Sequence, residues 1–153
     1  MYELKNLSIR ELQMYGAKCI HLFCAKYEIK HKFIDKLIYH LVSIISEENL
    51  PKWEKEGSLL ELSGRGDPLP EDLNKIIQVD IKNDFYNLVD NVVEIGIVDM
   101  YGANTDFPYK FLNNAIKILE KHNIFMPIFG SLLCISDQNR EYREVSVNGV
   151  YHQ

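Results

Sequence analysis

The feature that most restricts this chain is the return of apolar residues every three or four positions over long stretches. That spacing lays them along one side of an α-helix, whereas one face of a strand needs every second residue. The strongest stretch is Phe33, Ile34, Leu37, Ile38, Leu41, Ile44 and Ile45, which stops near Asn49 and Pro51. Before it, Ser8 followed by Glu11 has the spacing of a capping box, in which hydroxyl and carboxylate each satisfy a free amide at a helix start. A helix is therefore expected from about Ile9 to Tyr27, with Leu12, Tyr15, Cys19, Leu22, Phe23 and Lys26 in its stripe. The two helices are expected to pair through their apolar faces.

From Glu47 to Pro70 the period lapses. Pro51, Gly57, Gly64, Gly66, Pro68 and Pro70 mark turns, so a long connection is expected, pinned by Trp53, Leu59, Leu60 and Leu62. Pro70-Glu71-Asp72 then opens a short helix to about Val79, because proline fits the first turn and acids there complement the helix dipole. A longer helix is expected from about Asp80 to Tyr101, ending at Gly102. Thr105 or Asp106 caps the next, Pro108 lies just inside it, and Phe111, Leu112, Ala115, Ile118 and Leu119 form its stripe to about His122. For Ile128 to Ile135 periodicity does not decide between helix and buried strand, while Val145, Val147 and the Asn148-Gly149 turn point to a small C-terminal β-hairpin. The fold class is thus all-α, or mainly α: one helical domain over residues 1–153, a bundle of about five to six helices with that hairpin as its minor element. At 153 residues the chain has the length of one ordinary domain, and it holds no internal repeat.

Composition narrows the class. With 46% hydrophobic and 25% charged residues the chain is globular in type, not a disordered tail or a fibre. Cys19, Cys24 and Cys134 are an odd number without zinc-type spacing, and read as reduced, mostly buried thiols. The start Met1-Tyr2-Glu3-Leu4-Lys5 lacks the apolar stretch of a signal peptide. The longest apolar stretch, Ile124 to Ile135, is too short for a bilayer and is interrupted by Pro127 and Gly130. A soluble cytoplasmic protein without membrane association is expected. The net charge of -5 argues against a nucleic-acid-coating protein.

Resolved by position, that charge is uneven. Residues 1–46 hold seven Lys/Arg and four Asp/Glu, a balance of +3; residues 47–106 hold five and fourteen, a balance of -9; residues 107–153 hold five and four, a balance of +1. On a helical wheel Asp80, Asp84, Asn87, Asp90, Asn91 and Glu94 fall within an arc of roughly 120°. Ile81, Phe85, Leu88, Val89, Val92, Val93 and Ile95 lie opposite. Asp80/Asp84 and Asp90/Glu94 are like-charged pairs four apart, a penalty on the order of 1 kcal/mol in total. Two readings follow: a solvated face paired with lysines of neighbouring helices (Lys30, Lys32, Lys36, Lys110, Lys117 or Lys121), or a docking surface for a basic partner.

Catalytic patterns are sparse. Glu28-Ile29-Lys30-His31 has the Glu-x-x-His spacing of di-iron bundles, but the chain has no second copy, and a polar patch at a helix junction is expected instead. Asp80, Asp84, Asp90, Glu94 and Asp99 resemble Mg²⁺ ligands of all-α nucleotide hydrolases, yet such sites converge from two helices. Asp99 lies on the apolar side of its helix and is either a functional acid or a residue of a fraying last turn. Arg65-Gly66-Asp67 is read as a tight turn. His21, His40 and His122 have no partner at ligand spacing, and nucleophile elbows, P-loops and dinucleotide glycine patterns are absent. No catalytic residue, metal or cofactor is expected, and the chain reads as a binding protein, not an enzyme.

The run Leu88-Val-Asp-Asn-Val-Val-Glu-Ile-Gly-Ile-Val-Asp-Met-Tyr-Gly102, followed by Tyr109-Lys-Phe-Leu-Asn-Asn-Ala-Ile-Lys-Ile-Leu-Glu-Lys121 and Pro127, resembles the small acidic helical immunity proteins of bacterial polymorphic or contact-dependent inhibition toxin systems. The resemblance implies a cytoplasmic protein that binds the toxin domain of its own system and covers its active site or substrate-binding surface. Many such toxins are nucleases or other basic enzymes. The expected partner-binding residues are Asp80, Asp84, Asp90 and Glu94, helped by Glu71 and Asp72, with Tyr86 or Tyr101 as an anchor. Two alternatives stand beside it: a homo-oligomer or adaptor, in which the acidic face meets the basic N-terminal helices of another copy, and a Mg²⁺-dependent all-α nucleotide hydrolase, in which the carboxylates form a metal site.

Overall fold

The structure, a computed structural model, describes residues 7–125 and the backbone of residues 131–136 and 141–146. Residues 7–125 form an all-α domain of six α-helices. Helix α1, Ile9–Tyr27, starts as the sequence requires: the Ser8 hydroxyl accepts from the Glu11 amide and the Glu11 carboxylate accepts from the Ser8 amide. Helix α2, Lys32–Val42, continues into a 3₁₀ turn over Ser43–Ile45, and its Ile34, Leu37, Ile38, Leu41 and Val42 are buried, as is Ile44. Ile45, assigned to the same stripe, is 41% exposed, because the tighter turn rotates it out of line. The shorter α4, Glu71–Ile76, precedes α5, Val79–Ile95, and α6, Phe107–Lys121, completes the bundle. The backbone of Ser131–Ser136 pairs antiparallel with that of Glu141–Ser146. Val147 and the Asn148-Gly149 turn lie outside the described residues, as do residues 128–130.

Helix α1 touches α2, α5 and α6, and α5 packs on α6. The consequence is that α1 is buried from Leu12 to Ile20 on all sides instead of along one stripe. Lys26, counted in that stripe, is exposed. Cys19 and Cys24 are free thiols inside the core, and burial pushes the Cys24 thiol up to about 12, which keeps it protonated and unreactive at neutral pH. Glu28 and His31 do not share a helix face. Glu28 closes α1 in a left-handed conformation, and His31 caps α2, its Nδ1 accepting from the Phe33 amide at 3.1 Å.

Two boundaries differ from the sequence reading. The segment expected to be a long connection contains a further helix, α3, Leu50–Ser58, capped by Asn49, whose side chain accepts from the Lys52 amide at 3.0 Å. Its only buried residues are Trp53 and Gly57, too few to register as a stripe. Trp53 and Leu62 do pin this region, but Leu59 is 77% exposed.

Helix α5 ends at Ile95, well before Tyr101. The carboxamide of Gln13 on α1, fully buried, enters the last turn: its Nε2 donates to the Val92 carbonyl at 2.9 Å, and its Oε1 accepts from the Gly96 amide at 2.9 Å. In an uninterrupted helix that amide and that carbonyl would bond each other. Glutamine therefore takes the place of one rung and stops the ladder. Only glycine suits position 96, since a Cβ there would lie 2.6 Å from Gln13 Oε1 and 3.1 Å from both Ile44 and Trp53. The chain then turns through 97–101, and Asp99, 7% exposed, accepts from the Thr105 amide at 2.8 Å and hydroxyl at 2.9 Å. Asp99 thus holds the α5–α6 connection closed; it is neither in a fraying helix turn nor open to a ligand.

Candidate functional site

The polar face of α5 lies between two neighbours, and each takes part of it. On one flank α6 supplies Lys121 and His122. Asp84 Oδ2 lies 3.0 Å from Lys121 Nζ and 2.7 Å from His122 Nε2, and Lys121 first, then His122, holds the Asp84 carboxyl below the usual range. The other ring nitrogen of His122 is 2.5 Å from the Tyr27 hydroxyl, and Lys26 donates to the His122 carbonyl. Asp84 is therefore the centre of a polar clasp joining α1, α5 and the end of α6. Asn91 joins the same flank by accepting from Asn114 at 3.1 Å.

On the other flank lies the Arg65-Gly66-Asp67 turn. Arg65 is in the left-handed region at φ 58° between two glycines of positive φ. The Gly66 amide donates to Asp90 Oδ1 at 3.3 Å, the Tyr86 hydroxyl donates to the Gly66 carbonyl at 3.0 Å, and Ser63 Oγ donates to Asp67 at 2.7 Å. Arg65 itself points inward, with a side chain 17% exposed and a guanidinium bound to the Glu54 carbonyl at 3.1 Å and carboxylate at 3.6 Å. The tripeptide is a tight turn whose arginine is unavailable to a partner. Burial raises the Asp90 carboxyl above its usual range, against the Gly66 amide and the Tyr86 hydroxyl, which lower it. Burial likewise raises Glu94, with Arg65 opposing and Asp90 reinforcing. Arg65, Gly66, Asp90, Asn91, Glu94 and Phe111 line a small cleft of about 140 Å³.

These contacts explain how like charges four apart are tolerated: Lys121 and His122 offset Asp84, and Arg65 offsets Glu94. They also divide the six acids read from the sequence. Asp84 and Asp90 serve internal contacts, and Glu94, half-buried at the small cleft, lies in the field of Arg65. Glu71, Asp72 and Asp80 are exposed, and among the described residues none of the three has a side-chain hydrogen bond or ion pair. Tyr86 is tied to Gly66, whereas Tyr101 is 80% exposed.

Beside the unpaired acids, apolar surface is open. Val79, the first residue of α5 and the neighbour of Asp80, is 84% exposed, and Ile76, the last of α4, is 47% exposed. Val79 lines a groove of about 550 Å³ with Pro68, Leu69, Asn83 and Tyr86, and Lys82 donates to the Asn74 carbonyl along its edge. Among the described residues the lining of that groove carries one charged side chain, Lys82, and Asp80 adjoins it as the chain neighbour of Val79. As for chemistry, no group of three His, Cys, Asp or Glu among the described residues is placed to hold a metal ion. No helix among them is long and apolar enough to cross a membrane.

Sequence reasoning missed Gln13 and Lys18, both buried in α1, and the role of His122. The signal for the first was present: Gln13 is a polar residue beside Leu12 and Met14 in a stretch without charge from Leu12 to Ala17. Comparison with protein-family models, with curated proteins and with solved structures gives no match to this chain.

Proposed function

We propose that this protein binds a basic protein partner through the surface formed by α4 and the first turns of α5, and that the partner is a toxin domain which it neutralises by covering the active site or substrate-binding surface. The observation that carries the reading is three exposed, unpaired acids, Glu71 and Asp72 in the first turn of α4 and Asp80 in the first turn of α5, where Asp80 adjoins the 84% exposed Val79. Carboxylates that could have been paired internally, as Asp84 is, remain open where apolar surface is also open. A toxin acting on nucleic acid presents lysines and arginines spaced for phosphates, and a set of open carboxylates competes for the same groups without any chemistry. The resemblance of residues 88–102 and 109–121 to small acidic immunity proteins supports the same role.

The test is affinity capture at low salt from the native host, followed by purification of the captured basic protein and a growth assay with it. The triple variant Glu71→Lys, Asp72→Lys, Asp80→Lys is expected to lose both capture and protection. Glu120→Lys, an exposed site on α6, is expected to keep both. Protection by the triple variant equal to that of the native chain would reject the assignment.

A further inference from the structure

A second concavity lies away from the α4–α5 surface, between α2 and α3, a groove of about 890 Å³. Trp53 of α3 belongs to its wall but is only 3% exposed, because the half-buried His40 of α2 lies over it. The two rings are stacked, with centroids 4.5 Å apart and planes 11° from parallel, so the imidazole covers one face of the indole. Trp53 is fixed without help from that ring: its Nε1 donates to the His40 backbone carbonyl at 2.8 Å and the Ser43 hydroxyl at 3.1 Å. The imidazole has no comparable tie, and its Nε2 is buried without a hydrogen-bond partner. A Cβ at Gly57 would fall 2.5 Å from that nitrogen and 3.2 Å from a guanidinium nitrogen of Arg65, so the ring edge and the guanidinium meet over bare glycine backbone.

That geometry admits a neutral ring and resists a charged one. A neutral imidazole can keep its proton on Nδ1 and turn a lone pair towards the guanidinium. A second proton has only Nε2 to go to, where it meets no acceptor and adds charge beside Arg65, itself held in place by the Glu54 carbonyl and carboxylate. Burial first, then Arg65, accordingly pushes the imidazole down from 6.5 to about 4, with Glu47 opposing. Holding the ring in place thus makes protonation about 300-fold harder than in a free histidine. Leaving the stack forfeits an aromatic contact and the surface it covers, on the order of a hundredfold or less. The groove offers the ring room and an excess of acids: Glu47, Glu56 and Glu61, with Asp35 from α2 itself, outnumber Lys32 and Lys36, and Lys36 is engaged by Glu61 at 3.2 Å. Turning outward therefore costs a charged ring less than staying.

We propose that His40 is an acid-operated gate over Trp53: neutral, it lies on the indole against Gly57; protonated, it turns into the groove and uncovers the indole while α3 stays in place. Nothing else needs to move, because neither the bonds of Trp53 nor the Asn49 cap of α3 involves the imidazole. The gate is a property of this chain alone and does not depend on the basic-partner reading.

Proton NMR of the full chain, titrated from neutral pH to about pH 4, reads the ring directly. Trp53 is the one tryptophan, and its ring current displaces the signals of a stacked imidazole upfield. That displacement is expected to be lost in one step with a midpoint between 6.5 and about 4. Quenching of Trp53 fluorescence by acrylamide is expected to rise several-fold in the same step, with the amide protection of α3 unchanged. His40→Phe, which keeps an aromatic ring on the indole and cannot take a proton, is expected to show no such rise. Gly57→Ala puts a methyl group where Nε2 lies, in a helix that alanine favours, and is expected to show the turned-out ring and the higher quenching already at neutral pH. An imidazole whose upfield displacement survives its own titration, a quenching step that His40→Phe retains, α3 amides that lose protection in that step, or a Gly57→Ala protein with the stack intact would each overturn the gate.

Discussion

Replacing Gln13 with methionine, similar in length but without hydrogen-bonding capacity, tests how α5 is terminated. The native carboxamide makes two buried hydrogen bonds, to the Val92 carbonyl and from the Gly96 amide, both at 2.9 Å. Each contributes about 1 kcal/mol net, and each backbone group left unpaired costs about 1–3 kcal/mol. Were both groups left unpaired, the loss would be about 2–6 kcal/mol, reduced by the apolar gain of a buried thioether. The backbone has an escape, in which the Gly96 amide bonds the Val92 carbonyl directly and adds a turn to α5. That route displaces residues 97–101 and the loop that Asp99 closes onto Thr105. The net expectation is a loss of about 2–3 kcal/mol. Urea unfolding followed by far-UV circular dichroism measures it, and amide exchange between Val92 and Tyr101 shows which route the backbone takes. A loss below about 0.5 kcal/mol with unchanged exchange at Gly96 would refute the argument that Gln13 ends the helix.

Other consequences follow from the same contacts. Asp84→Asn weakens the clasp to Lys121 and His122 and is expected to cost about 1–2 kcal/mol at pH 7. Because the folded Asp84 pKa is lowered, its contribution is present above the ordinary carboxylate value and lost as pH falls through the lower folded value, so the native protein and the Asp84→Asn variant should converge in stability below about pH 3.8. The His40 pKa is lowered from 6.5 to about 4, so the unfolded chain binds the extra proton between those values. Stability should therefore fall as pH drops from 6.5 towards 4, by about 2–3 kcal/mol relative to His40→Gln, and then level off. Taking the difference between the two proteins cancels the opposite effect of Asp90 and Glu94, whose raised values stabilise the fold on acidification. Thr105→Val removes a hydroxyl from the buried Asp99 carboxylate and is expected to cost about 1–2 kcal/mol in thermal or urea unfolding.

What the sequence made legible was local. The Ser8–Glu11 capping box and the stripe of α2 are contained within a few turns; the box gives the start of α1 where it is found, and the stripe gives α2, although that helix passes into a 3₁₀ turn after Val42, short of Asn49. The end of α5 was not legible, because it is set by Gln13, 83 residues before Gly96 in the chain. Helix α3 escaped because only Trp53 and Gly57 face inward, and a helix held mainly by one aromatic anchor leaves no stripe. The acidic face was correctly separated from the apolar one, since that needs only the helical period. Its division was invisible, because Asp84 meets residues 121 and 122 of α6, and Asp90 meets a turn 24 residues earlier. A helical wheel gives direction around one axis and says nothing of what lies alongside it.

The central claim is that Glu71, Asp72 and Asp80 steer and hold a basic partner, and the association rate of the purified complex, measured across ionic strength, tests it most directly. Steering by three opposed charges predicts that reversing them lowers the rate at low salt by about tenfold or more and flattens its dependence on salt, while Glu120→Lys changes neither. An association rate and salt slope unaltered by the triple reversal, or lowered equally by Glu120→Lys, would contradict it.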